Sequence, residues 1–266
     1  SALTSGRVTY AGASGLLTDS ANLLYSGTDL TVYGITVGRG AGAVSTNTAV
    51  GYNALVANTT GDELVSVGWS ALSANTTGGQ NNAVGSQTLK SNTSGNYNTA
   101  LGNKALYSNT TASNNTAVGY QAGYSNTTGT VDAFGRAALY SNTTGAANLA
   151  VGNSALYANT TGVANTAVGS NGYDNPPLYA NTTGSFNNAF GNGALMSNTT
   201  ASTNNAFGYQ ALRLNSTGAG NSAFGHAALN ANTTGSNNTA VGYLAGYSNT
   251  TGQQSVFVGY QAAVSY

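Results

Sequence analysis

A chain of 266 residues with zero formal net charge, 5% charged residues and 37 glycines matches neither an ordinary globular enzyme nor a charged disordered tail. Its six basic residues, Arg7, Arg39, Lys90, Lys104, Arg136 and Arg213, are scattered singly, so no phosphate-tracking surface and no nucleic-acid partner are expected. No apolar run approaches the roughly 20 residues of a membrane helix, which argues against membrane insertion, and without cysteine there is neither a disulfide framework nor a thiolate metal site.

Residues 1–45 differ in pattern from the rest of the chain. Arg7 to Tyr10, Asn22 to Tyr25 and Leu30 to Tyr33 are short β-rich runs divided by turn residues such as Ser26-Gly27-Thr28-Asp29, and they predict a β-structured cap or attachment segment. Ile35-Thr36-Val37-Gly38 has the apolar-glycine ending of the later repeat. The thirteen residues from Gly38 to Gly51 suggest a shortened first coil. A chain that opens on Ser reads as a processed or excised fragment.

From 46 to 266 one unit recurs, shown in full by Asn148 to Gly162 as N-x-A-[V/F]-G-x-x-A-L-x-x-N-T-T-G. Its glycine falls at 51, 68, 85, 102, 119, 135, 152, 169, 191, 208, 225, 242 and 259, in steps of seventeen except for one of sixteen and one of twenty-two. The short step loses a residue between Asn126 and Gly135. The long one gains five within 170–177, where Pro176 and Pro177 cannot donate ladder hydrogen bonds and predict a bulging loop. Seventeen residues cannot hold the helix pair of an α-solenoid, and Gly, Asn and Thr form helices poorly. The expected fold is all-β: a parallel β-solenoid of about thirteen coils, a rod about 60 Å long at a rung spacing of about 4.8 Å.

Strand alternation through Asn-x-Ala-Val-Gly puts Asn, Ala and Gly on one face and Val or Phe on the other. A second apolar column runs through Leu156 and its equivalents, interrupted by Gly123 and Gly246. A narrow coil with an Ala-lined interior covers one of these columns, and the other is expected to face neighbouring chains, in a homotrimer or another self-associated rod. Asn115, Gly119, Asn126, Gly152, Leu156 and Asn159 are the structural positions of the repeat. Stacked Asn side chains form amide ladders, and Asn also suits the left-handed backbone of tight corners. N-T-T matches a glycosylation acceptor, but its place at an obligatory corner favours geometry.

Two aromatic columns carry the surface candidates. Tyr52, Trp69, Tyr120, Tyr209, His226, Tyr243 and Tyr260 follow the glycine; Tyr107, Tyr124, Tyr140, Tyr157, Tyr179 and Tyr247 follow the leucine position. These rings either stack between coils and pack at a chain interface or form an exposed ridge for sugar rings. The candidates for surface recognition are Trp69, Tyr120, Tyr209 and Tyr243, with Tyr173, Asp174 and Asn175 of the insertion. No catalytic, cofactor or metal constellation is visible: there is one histidine, Asp62-Glu63 reads as a solvated turn, and no acidic column supplies a glycosidase pair. A non-enzymatic protein without cofactors is expected.

The units Asn115-Thr116-Ala117-Val118-Gly119 and Asn238-Thr239-Ala240-Val241-Gly242 resemble the N-S-V-A-I-G signature of YadA-like trimeric adhesin heads. That resemblance implies a left-handed parallel β-roll in a tight trimer attached to a host surface. Asn115 to Gly129, ending Tyr124-Ser125-Asn126-Thr127-Thr128-Gly129, resembles repeat regions of phage tail fibres that carry a C-terminal endosialidase-type chaperone, and Gly15 to Val32 is similar to segments preceding such repeats. These resemblances imply a tail fibre or receptor-binding virion component that recognises a bacterial surface glycan or protein, located in the virion or outside the cell. Alternatives are a bacterial surface adhesin or extracellular filament of the same fold, an ice-binding protein using its Thr columns, and an enzyme degrading envelope polysaccharide.

Overall fold

The computed structural model describes residues 7–11, 17–26, 29–169 and 175–263, in two compact units, Ser1–Ser113 and Asn114–Tyr266. Both are parallel β-solenoids with a turn of about seventeen residues. The first begins with an antiparallel segment, β1 (Arg7–Ala11), β2 (Leu17–Tyr25), β3 (Leu30–Val32) and β4 (Ile35–Gly38), then a 3-10 turn at Ala41–Ala43. Its rungs are β5 (Thr48–Gly51), β6 (Val65–Val67), β7 (Asn82–Val84) and β8 (Thr99–Leu101), parallel and paired in register. The second unit stacks nine rungs: β9 (Thr116–Val118), β10 (Val131–Phe134), β11 (Asn148–Val151), β12 (Thr166–Val168), β13 (Asn188–Phe190), β14 (Asn205–Phe207), β15 (Ser222–Phe224), β16 (Thr239–Val241) and β17 (Val256–Val258).

Each rung contributes one short strand, and the rest of the coil is turns. Alternation along the strand is as the repeat predicts: Ala150, Ala167, Ala189 and Ala206 are fully buried, while their Val or Phe neighbours lie at the surface. The Leu column is the interior apolar column, with Leu55, Leu72, Leu89 and Leu106 in the first unit and Leu139, Leu156, Leu178, Leu195, Leu212 and Leu229 in the second all at 0% exposure. Each such burial contributes roughly 1.5–3 kcal/mol.

Two Asn columns fill the remainder of the interior. Asn159 Nδ2 donates to Asn142 Oδ1 (2.8 Å) in one neighbouring coil, and Asn159 Oδ1 accepts from Asn181 Nδ2 (2.8 Å) in the other. The second column couples side chain to backbone: Asn165 N–H donates to Asn148 Oδ1 (3.0 Å) and Asn187 N–H to Asn165 Oδ1 (3.0 Å). Both columns converge on the corner glycine, for Gly162 O accepts from Asn148 Nδ2 (2.8 Å) and from Asn159 Nδ2 (3.1 Å). At the same corner the amides of Thr143, Thr144 and Gly145 share the Thr160 carbonyl oxygen. The Asn of the N-T-T triplets is thereby buried and spoken for at Asn126, Asn142, Asn159 and their equivalents, so the acceptor pattern marks a ladder and not a surface amide.

Three expectations are corrected. The left-handed backbone falls not on the ladder asparagines but on the leucines (Leu156 φ 53°, Leu229 φ 51°) and on corner positions such as Ser154 (φ 55°) and Asn237 (φ 59°). The reason is that the ladder Asn must hold its amide along the axis, while turning the backbone at Leu aims an apolar side chain inward. Ile35–Gly38 is no first coil: it runs antiparallel to β5, with Val37 opposite Val50, because the intervening segment is too short to complete a turn. Pro176 and Pro177 do not bulge. Both are buried, and Pro177 O accepts the Leu156 N–H (3.2 Å), as Ala155 O accepts that of Leu139. The register resumes at Asn175, whose carbonyl accepts from Gly193 N–H (2.7 Å) as Tyr52 O does from Ser70 N–H, so the five extra residues expected within 170–177 are numbers 170–174.

Local irregularities are compensated. The sixteen-residue coil drops the left-handed residue before its strand, letting Val131 enter the Asn column, where its N–H reaches Asn115 Oδ1 (2.7 Å). Phe257 stands in the Ala column, and Gly246 stands in the Leu column beside it; a Cβ on Gly246 would lie 2.6 Å from the Phe257 ring. The strand-ending glycines are held by two constraints together. Gly225 has φ +138°, and a Cβ there would collide with the Gly242 carbonyl of the next coil.

Gly225→Ala is expected to cost about 3 kcal/mol or more in chemical denaturation, from backbone strain and collision together. Asn159→Asp places a carboxylate against the Asn142 and Gly162 oxygens and should destabilise by a similar amount, about 3 kcal/mol, at pH 7. Burial raises that carboxyl above its unfolded value, so stability falls as pH rises and the deficit should be smaller at pH 3 than at pH 7.

Candidate functional site

The surface positions are those the interior does not claim. In the second unit the Val/Phe column forms a continuous apolar stripe in which Phe224 is 40% and Val241 42% exposed, and Phe190, Phe207 and Phe224 stack at 4.7 and 5.0 Å between centroids. In the first unit Val84 and Leu101 occupy the equivalent exposed place. A coil with this interior has no room for the column, which leaves it facing outward on each unit.

Both aromatic columns are ladders. Tyr124, Tyr140, Tyr157 and Tyr179 stack at 5.0, 5.1 and 5.3 Å, and Tyr209, His226, Tyr243 and Tyr260 at 5.2, 5.1 and 5.3 Å. The consequence for recognition is geometric. A ring inside such a stack spends both faces on its neighbours and offers its edge and hydroxyl, so a sugar can lie face-on only against a ring at the end of a stack. Of the predicted recognition residues, Tyr209 is at such an end, whereas Tyr243 is inside its stack. Trp69 in the first unit (51% exposed) and Tyr120 in the second (49% exposed) follow the glycine as predicted, and among the described residues neither stacks on another ring. Tyr173 and Asp174 lie outside the described residues. Asn175 is half-buried in the coil, with φ 59°, because Pro176 cannot take the left-handed position that this corner otherwise uses.

The Thr columns divide. Along the column the first Thr of the triplet gives its hydroxyl to a carbonyl of the next coil, as Thr143 Oγ1 does to Thr160 O (3.0 Å) and Thr182 Oγ1 to Thr199 O (3.1 Å). Thr144, Thr161 and Thr183 of the second position are exposed in single file. Asp62 and Glu63 are exposed in a bend, with Glu63 Oε2 accepting from Gln80 Nε2 (2.9 Å). Among the described residues no three His, Cys, Asp or Glu side chains stand together as a metal site, and no helix is long and apolar enough to cross a membrane.

A cleft of about 580 Å³ opens in the second unit between the two aromatic columns, lined by Arg136, Ser154, Tyr157, Asn175, Pro176, Tyr179 and Met196. Asn175 was among the candidates read from the sequence, Tyr157 and Tyr179 were members of an aromatic column and Pro176 belonged to the expected loop; Arg136, Ser154 and Met196 were not singled out. For Arg136 and Met196 the signal is departure from the commonest residue of the column: Arg136 shares a column with Tyr120 and Tyr209, and Met196 one with Tyr157 and Tyr179. Burial, then the neighbouring Tyr140 and Tyr179 phenols, push the Tyr157 hydroxyl up from its ordinary value against the opposing pull of Arg136. It therefore remains a neutral donor through the physiological range. Comparison of the chain with protein-family models, curated proteins and solved structures returns no significant match in any of the three, so the functional reading rests on this geometry and on the sequence.

In an ultraviolet titration of tyrosinate, Tyr157→Phe should remove a component that ionises above pH 10, not one at or below it. Because the folded value is the raised one, this phenol's contribution to stability is complete below about pH 10 and is lost as pH climbs beyond it.

Proposed function

We propose that the chain is a structural and adhesive fibre protein, a phage tail fibre or receptor-binding virion component that recognises a bacterial surface as a homotrimer. The observation that carries this reading is the unbroken Val/Phe stripe on a scaffold whose interior is already full. An apolar column with stacked phenylalanines, left outside by every coil of the second unit, is stabilised when a second and third copy cover it. The resemblance of the repeat to YadA-like heads and to tail-fibre repeats supports the same reading. Three identical chains would present each surface position three times, and repeated weak contacts gain avidity without any new contact. No chemistry of bond cleavage is needed for this role.

A bacterial surface adhesin or filament subunit uses the same assembly. Genes for tail components beside this one favour the fibre, and a membrane anchor favours the adhesin. The single exposed file of second-position threonines is the feature an ice-binding role would use. Thermal hysteresis on purified protein tests that role, and oligosaccharide release from host capsule or lipopolysaccharide tests the enzymatic one.

Light scattering of the purified protein should give three times the chain mass. Phe207→Ser, at a half-exposed position that a lone chain tolerates, should shift it to the monomer and abolish adsorption to susceptible cells. A monomeric wild-type protein that keeps its fold overturns the trimer.

A further inference from the structure

The column that follows the strand-ending glycine is built differently in the two units. In the second, Tyr209, His226, Tyr243 and Tyr260 carry rings on successive rungs and stack at 5.2, 5.1 and 5.3 Å. In the first it reads Tyr52, Trp69, Ser86 and Asn103. The backbone spaces both columns in the same way. Ser70 N–H donates to Tyr52 O (2.8 Å), Gln87 N–H to Trp69 O (2.7 Å) and Lys104 N–H to Ser86 O (2.9 Å), just as Ala227 N–H donates to Tyr209 O (2.8 Å) and Leu244 N–H to His226 O (2.9 Å). The rung on which a ladder would lay its next ring against Trp69 therefore carries a serine.

The indole is left exposed by this change, and among the described residues no ring stacks on it. Leaving it so forfeits the apolar burial and the ring contacts that the second unit's ladder collects. Around the next two rungs stand hydrogen-bonding side chains: Ser86 and Gln87 on the first, Asn103 and Lys104 on the second. None of these four side chains has a hydrogen-bond partner among the described residues. An aromatic face beside polar groups is a poor centre for a protein contact, which concentrates its energy where apolar neighbours exclude water. It suits a ligand that is itself apolar on one face and polar at its rim.

We propose that a pyranose unit of a surface polysaccharide stacks on Trp69 at the Ser86 rung, in the place that a ring of the chain itself occupies in the second unit. A pyranose presents C–H bonds on its faces and hydroxyls at its edge. The faces pack on the indole; the hydroxyls donate to or accept from Ser86, accept from and donate to the Gln87 and Asn103 amides, and accept from Lys104. The ladder spacing of about 5 Å sets the room for one such ring at that rung. The assignment rests on the reading of the chain as a fibre that recognises a cell surface, and it adds the class of ligand and the place that takes it.

Trp69 is the chain's one tryptophan, so its emission reports on the site directly. The test titrates the folded wild-type protein with neutral tetrasaccharides of α-glucose, β-glucose, β-galactose and N-acetylglucosamine. At least one should shift the emission saturably and cut quenching by iodide about twofold or more. Ser86→Tyr lays a ring of the chain in the ligand's place, at a position where other coils carry Tyr. It should keep the melting temperature and weaken that sugar about tenfold or more. Trp69→Phe, followed by calorimetry, should also weaken it about tenfold and answers the question if Ser86→Tyr disturbs the coil. The proposal is overturned if none of the four sugars binds, or if a well-folded variant binds as tightly as wild type. It is overturned too if iodide cannot quench wild-type Trp69 before sugar is added, because another copy of the chain then covers the ring. Adsorption that Ser86→Tyr abolishes but no sugar competes for would assign the site to a protein partner and overturn the sugar. Cell adsorption also keeps the two readings apart: adsorption without sugar binding removes the site and keeps the fibre, and sugar binding without adsorption does the reverse.

Discussion

Everything in these two units depends on how a coil only seventeen residues long satisfies its interior polar groups. Such a coil has almost no core volume, so its corner amides and carbonyls lie where water cannot reach them. The two Asn ladders solve this by giving each coil side chains that donate to one neighbour, accept from the other and clamp the corner carbonyl as well. A buried amide left without partners costs about 1–3 kcal/mol, whereas an unbroken ladder leaves none except at its ends. The Ala columns, the strand-ending glycines and the left-handed leucines are consequences of that solution. Ala leaves room for the amides, Gly admits the next coil's carbonyl, and a turned Leu plugs the remaining space with the one large apolar group that fits.

Much of this was legible in the repeat because a solenoid writes each structural demand thirteen times. The rung spacing and the placing of Ala and Val/Phe on opposite faces could be read directly, though not which apolar column stays outside, and the ladder at Asn126 and Asn159 could be inferred from the stacking itself. Backbone handedness at each corner could not. Propensity assigns φ > 0 to Asn and Gly, and here tertiary demand overrides it: the ladder fixes the Asn amide, and the corner falls to residues such as Leu156, Ser154 or Ala147. Pro176 and Pro177 misled for a related reason. Proline is barred from a ladder N–H, but the coil position of Pro177 contributes its carbonyl to the neighbouring coil, so a proline fits there. Ile35 to Gly38 carried the right composition for a rung, and only pairing direction, which composition does not encode, distinguishes it from one.

The candidate site was legible in a different way. Repeat positions say how the chain stands up, and they are common to nearly every coil; a specific contact has to come from residues that break the pattern. Trp69 was visible on that basis and Tyr120 as a member of its aromatic column, but ring stacking changes what such a column can do, since interior members such as Tyr243 have no free face. The cleft was not visible as a unit, because its lining is drawn from different columns of successive coils and from the irregular coil that contains Asn175 and Pro176.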